Sequence, residues 1–291
     1  MNRSRIADLG TVLTIWAHPD DETYLAGGLM AAAVAAGQRV VCVSATAGEL
    51  GTDDPVAWPP ERLAAVRRLE AAAALAVLGV QEHRFLGLPD GGLDLWDDVG
   101  ARLVSELIDE IRPDTVVTFG PDGFTFHPDH LAVHRWVRAA WEARGRGFRL
   151  LETAWTAESL ERFGALSARI GVFMTDERPV GVPAAALSEH LPLAGPALDR
   201  KVTALRAMAS QVEPTVGAFG LDLFTAWVAE EGFVDAARTA RTRGTARTGR
   251  TARAARAGRA GRAGRAARAV GVPVDAEFGS IPAQRSEMVA A

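Results

Sequence analysis

Residues 11–22 read TVLTIWAHPDDE: an apolar, β-branched run that breaks abruptly into His18-Pro19-Asp20-Asp21-Glu22. Such a run predicts a buried strand, and the burst of polar residues predicts the turn into a helix. The same alternation continues downstream. Residues 22–36 are Ala-rich and helix-like and stop at Gly37, and residues 39–45 are β-branched again. A long helical stretch over 61–78 lies between Pro59-Pro60 and Gly79. A short strand at 83–86, a helix over 97–111 closed by Pro113, and a buried strand at 114–119 follow. Pro128, favoured at a first helical position, predicts a helix starting near His127. Strands alternating with helices of this length specify βαβ units, hence an α/β fold with a mostly parallel sheet flanked by helices. Beyond residue 149 the pattern weakens. Strands are predicted at 150–155 and 170–174 and a helix over 196–210, with Trp155 and Met174 read as core.

Composition bounds the rest. The chain has 291 residues, 48% hydrophobic and 23% charged, which is enough apolar material for a buried core and excludes wholesale disorder. A single cysteine, Cys42, excludes a disulfide-stapled secreted scaffold. No apolar run approaches the roughly 20 residues of a bilayer span, and the short stretch before His18 lacks a signal-peptide cleavage pattern, so the expected location is cytoplasmic. The formal charge of −4 conceals an uneven distribution. Residues 1–235 carry 20 basic and 33 acidic side chains, a net of −13, whereas residues 236–270 carry eleven arginines and no acid. From Arg247 to Arg268 an arginine recurs every third residue among Ala, Gly and Thr, a period that fits neither helix nor strand. The expected organisation is a folded domain over 1–235 and a disordered Arg/Ala/Gly-rich tail over 236–291. That tail reads either as a solvated segment or as a weak binder of nucleic acid or another polyanion through counterion release.

Two clusters carry chemistry, and each follows a predicted strand, where open α/β sheets bind ligands. In the first, a helix-like turn after Pro19 places His18 and Asp21 on one side, a suitable pair for a borderline divalent ion. Asp20, beside them, can take a proton from water. The three acids alone would equally suit the positive end of a helix dipole, but that leaves His18 unexplained. In the second cluster, His127-Pro128-Asp129-His130, the two histidines lie one turn apart, so that one can bind a metal while the other stands at the reacting group. Together the clusters supply two histidines, a carboxylate and spare acid–base groups.

Ala17-His18-Pro19-Asp20-Asp21-Glu22 followed by His127-Pro128-Asp129-His130 resembles the LmbE-like, or PIG-L, family of zinc-dependent N-deacetylases. Gly27-Gly28, Thr46-Ala47-Gly48-Glu49, the segment from Arg67 to Glu70, and residues 201–211 extend the resemblance over roughly residues 10–211. It implies a Rossmann-like fold and removal of an N-acetyl group from an N-acetylglucosamine conjugate or a related small molecule. Carried over by position, His18, Asp21 and His130 would be the metal ligands, Asp20 the general base and His127 the general acid and oxyanion stabiliser. Asp129 would adjust the basicity of His127, and Glu49, Arg67 and Asp90 would contact the sugar. Arg67 pairing with Glu70 on the surface is the alternative for that residue. Zinc is the implied cofactor, and two histidines with one carboxylate also suit iron(II). Phe126, Thr125 and Met208 depart from the residues usual in the family, namely glycine, tyrosine and histidine, and all three bear on the substrate. Competing functions are amide cleavage of a thiol or sugar conjugate and, in a different class, nonenzymatic polyanion binding by the tail.

Overall fold

The computed structural model describes residues 8–238. Its centre is β1, Val12–Trp16, which is buried at all five positions. It pairs in parallel with β2, Val40–Ser44, on one side and with β4, Thr115–Thr118, on the other; Val12 lies opposite both Val40 and Thr115. β3, Glu82–Phe85, adds to β2, and β5, Arg149–Thr153, adds to β4, both in parallel. The resulting order across the seven strands is β3-β2-β1-β4-β5-β7-β6. The last two, β6 at Glu189–Pro192 and β7 at Glu230–Asp235, run antiparallel to their neighbours. β1, β2 and β4 are buried at every position because helices cover the sheet, so no face alternates with water.

Four helices fill the parallel crossovers: α1 Asp21–Ala35, α2 Pro60–Leu78, α3 Asp97–Ile111 and α4 Pro128–Ala143. Right-handed crossovers leave β1 and β4 in opposite directions, so α1 with α2 and α3 with α4 cover opposite faces. Helix α3 has the residue range read from the sequence, because its amphipathic period is clean and Pro113 follows. His127 caps α4, with Pro128 at its first position, as expected.

Two expectations beyond residue 149 need correcting. Residues 170–174 are not a strand: they follow α5, Ala157–Arg169, as a turn in which Gly171 takes φ +75°. Their apolar character reflects packing, since Phe173 sets its ring edge-on to Trp155 at 5.9 Å, rather than ladder formation. The helix predicted over 196–210 divides into α6, Pro196–Arg206, and α7, Ala209–Phe219. The break is held by Glu70, whose carboxylate accepts the Ser210 amide at 2.8 Å and its hydroxyl at 2.6 Å, pinning the start of α7 to α2. A short α8, Leu221–Trp227, leads into β7. None of the described helices is long and apolar enough to cross a membrane. The tail expected over 236–291 lies, from residue 239 onward, outside the described residues; Ala236 itself is buried.

Candidate active site

β1 and β4 are neighbours whose following helices diverge, and the crevice beyond their carboxyl ends is where an open α/β sheet receives ligands. His18, Asp20 and Asp21 leave β1, and the loop ending in His127 leaves β4. Both clusters therefore open into one cavity of about 450 Å³, lined by His18, Asp20, Asp21, His127 and His130.

The His18 amide donates to Asp21 Oδ2 at 2.8 Å, which closes the turn after β1. Asp20 is held at φ 120°, a conformation that costs a non-glycine residue on the order of 1–3 kcal/mol. Its carbonyl accepts the Thr23 and Tyr24 amides, and its own amide donates to the buried Glu22 carboxylate at 2.9 Å. Glu22 thereby holds the first turn of α1 from inside. Burial raises the Glu22 pKa to about 7.

Donor groups of three residues converge, His18 and Asp21 meeting His130 from 112 positions beyond His18. His18 Nδ1 lies 3.3 Å from His130 Nε2 and 3.5 Å from Asp21 Oδ2, and His130 Nε2 lies 3.3 Å from Asp21 Oδ1. Donors placed ~2.0–2.1 Å from a tetrahedral zinc ion lie about 3.3–3.4 Å from one another, so the spacing fits such an ion. The outer nitrogens are committed elsewhere. His130 Nδ1 meets the Gly123 carbonyl at 2.9 Å; a carbonyl only accepts, so Nδ1 carries the proton and Nε2 turns a lone pair inward. His18 Nε2 faces Asp90 Oδ1 at 3.0 Å and Asp129 Oδ2 at 3.3 Å, which in the same way favours the proton on Nε2. Outer-shell acceptors of this kind orient metal-binding imidazoles.

Electrostatics favour positive charge at the centre. Burial works against charge on His18, yet its bonds with Asp129, Asp21 and Asp90 carry the pKa well above that of a free imidazole. At Asp21, burial would raise the pKa, but His130 and His18 outweigh it and hold it at about 2. His130 is pushed down to about 4, by burial first, and so stays neutral. Two other donor triplets share His18, one with His127 and His130 and one with Asp90 and Asp129. The second addresses the hydrogen-bonded outer nitrogen. The His18–Asp21–His130 set has the better claim, because its groups face one another at 3.3–3.5 Å while the outer ring nitrogens are tied.

His127 lies beside this centre, its ring 4.8 Å from that of His18 and 4.9 Å from that of His130. Its Nδ1 accepts the Asp129 amide at 3.1 Å as the helix cap, which leaves the neutral ring with its N–H on Nε2. Burial, then His18, lowers its pKa. Asp129 has a different partner from the one expected. Its charge still favours protonation of His127, but its carboxylate accepts the Gly91 and Leu93 amides at 2.9 Å each and faces His18. The side chain thus backs His18, and only its backbone meets His127.

Asp20 faces the cavity with its pKa raised to about 7 by burial, against the pull of Arg67. Arg67 is buried: it donates to the Gly48 carbonyl at 2.7 Å and the Pro19 carbonyl at 2.5 Å, and it sits 3.2 Å from Asp20 Oδ2. Pairing with Glu70 does not occur, since Glu70 serves Ser210. Gly48 makes the clamp possible: it takes φ +66°, and a Cβ there would lie 2.3 Å from the guanidinium. Arg67 and Asp90 line the cavity as expected for substrate contact, although Asp90 also serves His18 and accepts the Leu50 amide. Glu49 is not part of the lining; its Oε1 accepts the Asp90 amide at 3.1 Å. Sequence reasoning passed over Glu22, although it lies inside the first motif, and Gln211, which lines the cavity and donates to Gly51 O at 3.1 Å.

Comparison with known proteins gives a consistent picture. A family model described as PIG-L, GlcNAc-PI de-N-acetylase, matches residues 13–141. A 1D-myo-inositol 2-acetamido-2-deoxy-alpha-D-glucopyranoside deacetylase of Acidothermus cellulolyticus is 33% identical over 236 residues, 69% of this chain and 80% of that protein. One of the same name from Kineococcus radiotolerans is 39% identical over 169 residues, and the match spans 47% of this chain and less than half, 46%, of that protein's length. Among solved structures, the N,N'-diacetylchitobiose deacetylase from Pyrococcus horikoshii superposes with a TM-score of 0.54 over 78% of this chain and 84% of its own. At 23% identity that likeness is one of fold.

Proposed function

This chain belongs to the PIG-L (GlcNAc-PI de-N-acetylase) family, and on that premise we propose that it is a metal-dependent hydrolase removing an N-acetyl or similar N-acyl group from an amino-sugar conjugate. The observation that carries the reading is the inward convergence of His18 Nδ1, His130 Nε2 and the Asp21 carboxylate at 3.3–3.5 Å with the outer imidazole nitrogens tied. These three residues would hold a divalent ion, zinc or iron(II), and as three protein ligands they leave a position open. When bound, the ion supplies Lewis acidity that polarises an amide carbonyl and makes water more acidic.

The remaining steps belong to the chain's own groups. Asp20, partly shielded from bulk water and steered by Arg67, takes the proton from the attacking water; a base with a pKa near the working pH does this best. His127 presents Nε2–H towards the cavity, where it hydrogen-bonds the amide oxygen as charge develops, and the proton that Asp20 took from water passes to the departing amine. Asp129 and Asp90 hold His18 in orientation. Arg67, Asp90 and Gln211 offer the sugar hydroxyls donors and acceptors.

The test measures bound metal and amine release together. The purified full chain, reconstituted with zinc or iron(II), should bind about one ion and free the amine of an N-acetylglucosamine glycoside. His18→Ala with His130→Ala should lose both. Metal-free protein with unaltered turnover would overturn the reading.

A further inference from the structure

The wall of the cavity is of two kinds. Near the histidines it is polar. Elsewhere it is formed by Phe124, Trp155, Tyr24, Trp227 and Met174, side chains that the chemistry above does not use.

This apolar wall is built rather than incidental. The rings of Phe124 and Trp155 stack at 4.6 Å and 19°, and the Trp155 indole N–H donates to the Phe124 carbonyl at 2.9 Å. With that donor satisfied, the indole offers the cavity only apolar surface. Phe124 sits at φ +67°, a strained conformation for a bulky side chain that survives only where its surroundings over-determine it. Here the same residue supplies both the ring beneath Trp155 and the carbonyl that fixes it. Phe124 also belongs to the loop whose Gly123 carbonyl orients His130, so the panel abuts the catalytic centre. Tyr24 and Trp227 form a second pair at 5.7 Å, backed by Phe219 at 5.3 Å from Trp227. Met174, read from the sequence as core, is instead 53% exposed at the cavity, and its amide is tied to the Thr125 carbonyl at 2.9 Å.

A polyol set against these rings would lose water without gaining partners, whereas an apolar group would gain by burial. Taking the amino-sugar deacetylase reading as its basis, we propose that the group attached to the sugar is an aryl or alkyl aglycone seated against Phe124, Trp155, Tyr24 and Trp227. Beside this wall Thr156, next to Trp155 in the chain, hydrogen-bonds Glu230, whose second oxygen meets His190 Nε2 at 3.0 Å. That carboxylate disfavours an anionic aglycone.

The experiment uses the zinc-loaded full chain and the methyl, phenyl, octyl and myo-inositol glycosides of N-acetylglucosamine. Amine release gives kcat/KM, and quenching of tryptophan fluorescence gives binding independently of turnover. Phenyl and octyl glycosides should exceed methyl and inositol glycosides at least tenfold in both. The phenyl-to-methyl ratio should fall at least threefold in Trp227→Ala and in Met174→Asp, the latter a half-exposed position where misfolding is not at issue. A 4-carboxyphenyl glycoside should rank below phenyl. Equal binding of methyl and phenyl glycosides would assign the aromatic wall to the sugar itself and overturn the proposal while leaving the deacetylase reading intact. Tight phenyl binding without amine release from any glycoside would support the apolar compartment and sink the deacetylase reading.

Discussion

Nδ1 of His18 and Nε2 of His130 face each other at 3.3 Å, each ring held from behind by an acceptor on its other nitrogen. Two imidazole nitrogens and the Asp21 carboxylate turned on one point draw positive charge to it.

Removing a ligand and removing the base therefore have different consequences. Asp20→Ala should retain about one equivalent of metal while kcat falls by about 10²–10⁴-fold, the range of a lost general base. His130→Ala should lose the ion. Elemental analysis beside amine release separates the two, and an Asp20→Ala enzyme of undiminished kcat would remove Asp20 from its role.

Asp129 acts through His18. Its carboxylate also accepts the Gly91 and Leu93 amides, so Asp129→Ala leaves His18 Nε2 with one fewer acceptor and two backbone donors unpaired. Metal affinity should drop by about 10–100-fold, as for other lost outer-shell partners. Competition against a graded chelator reads this directly; unchanged affinity would show that Asp90 suffices alone.

Arg67 is the cation that opposes the effect of burial on Asp20. Its loss favours the protonated acid, so in Arg67→Met the acid limb of kcat/KM should move to higher pH. A pH–rate profile decides the matter: an unmoved limb means that Arg67 merely braces the Pro19 and Gly48 carbonyls.

Away from the site, burial and then Arg68 lower the His83 pKa from 6.5 to about 4. Between those values the unfolded chain binds a proton that the folded chain refuses, so the His83 contribution makes stability rise with pH from 4 to 6.5 and stay level above. His83→Gln keeps a partner for Ser44, 3.0 Å away. The wild-type protein should lose about 1–2 kcal/mol more than this variant on acidification from pH 7 to 4, allowing for partial exposure of the ring. Parallel urea titrations at the two pH values would expose a failure as equal losses.

Lys201 and Glu231 form an ion pair at 2.8 Å with both side chains fully buried, and Glu231 also accepts the Gly28 and Leu29 amides of α1. Lys201→Met should cost about 3–5 kcal/mol by stranding the carboxylate. Adding Glu231→Gln should recover part of that loss, because the amide oxygen still serves α1. Strictly additive losses in the double variant would contradict this coupling.

Much of the molecule was legible along the chain. The β1-to-α1 passage, α3, and the start of α4 were all readable because composition, period and a proline or glycine boundary act over a few residues. So were the residues that gather at the cavity, since two short motifs placed unusual donors just after apolar runs. The stretch 170–174 misled for the same local reason: an apolar run predicts a strand, but here it supports a cavity wall. Asp129 and Glu49 were identified as polar residues of interest, but their partners were not, since His18 lies 111 positions from Asp129.

The sequence by itself determined the alternation of strands and helices, the acidic body, and which side chains can bind a metal or move a proton. Only the tertiary structure decided that β1 and β4 are neighbours, that His18 and His130 share a centre, that Asp129 serves His18, and that Phe124 and Trp155 stack into an aromatic wall. Local elements follow from short-range sterics and hydrophobic period, whereas pairings across a hundred residues exist only once sheet order and burial bring separate segments together.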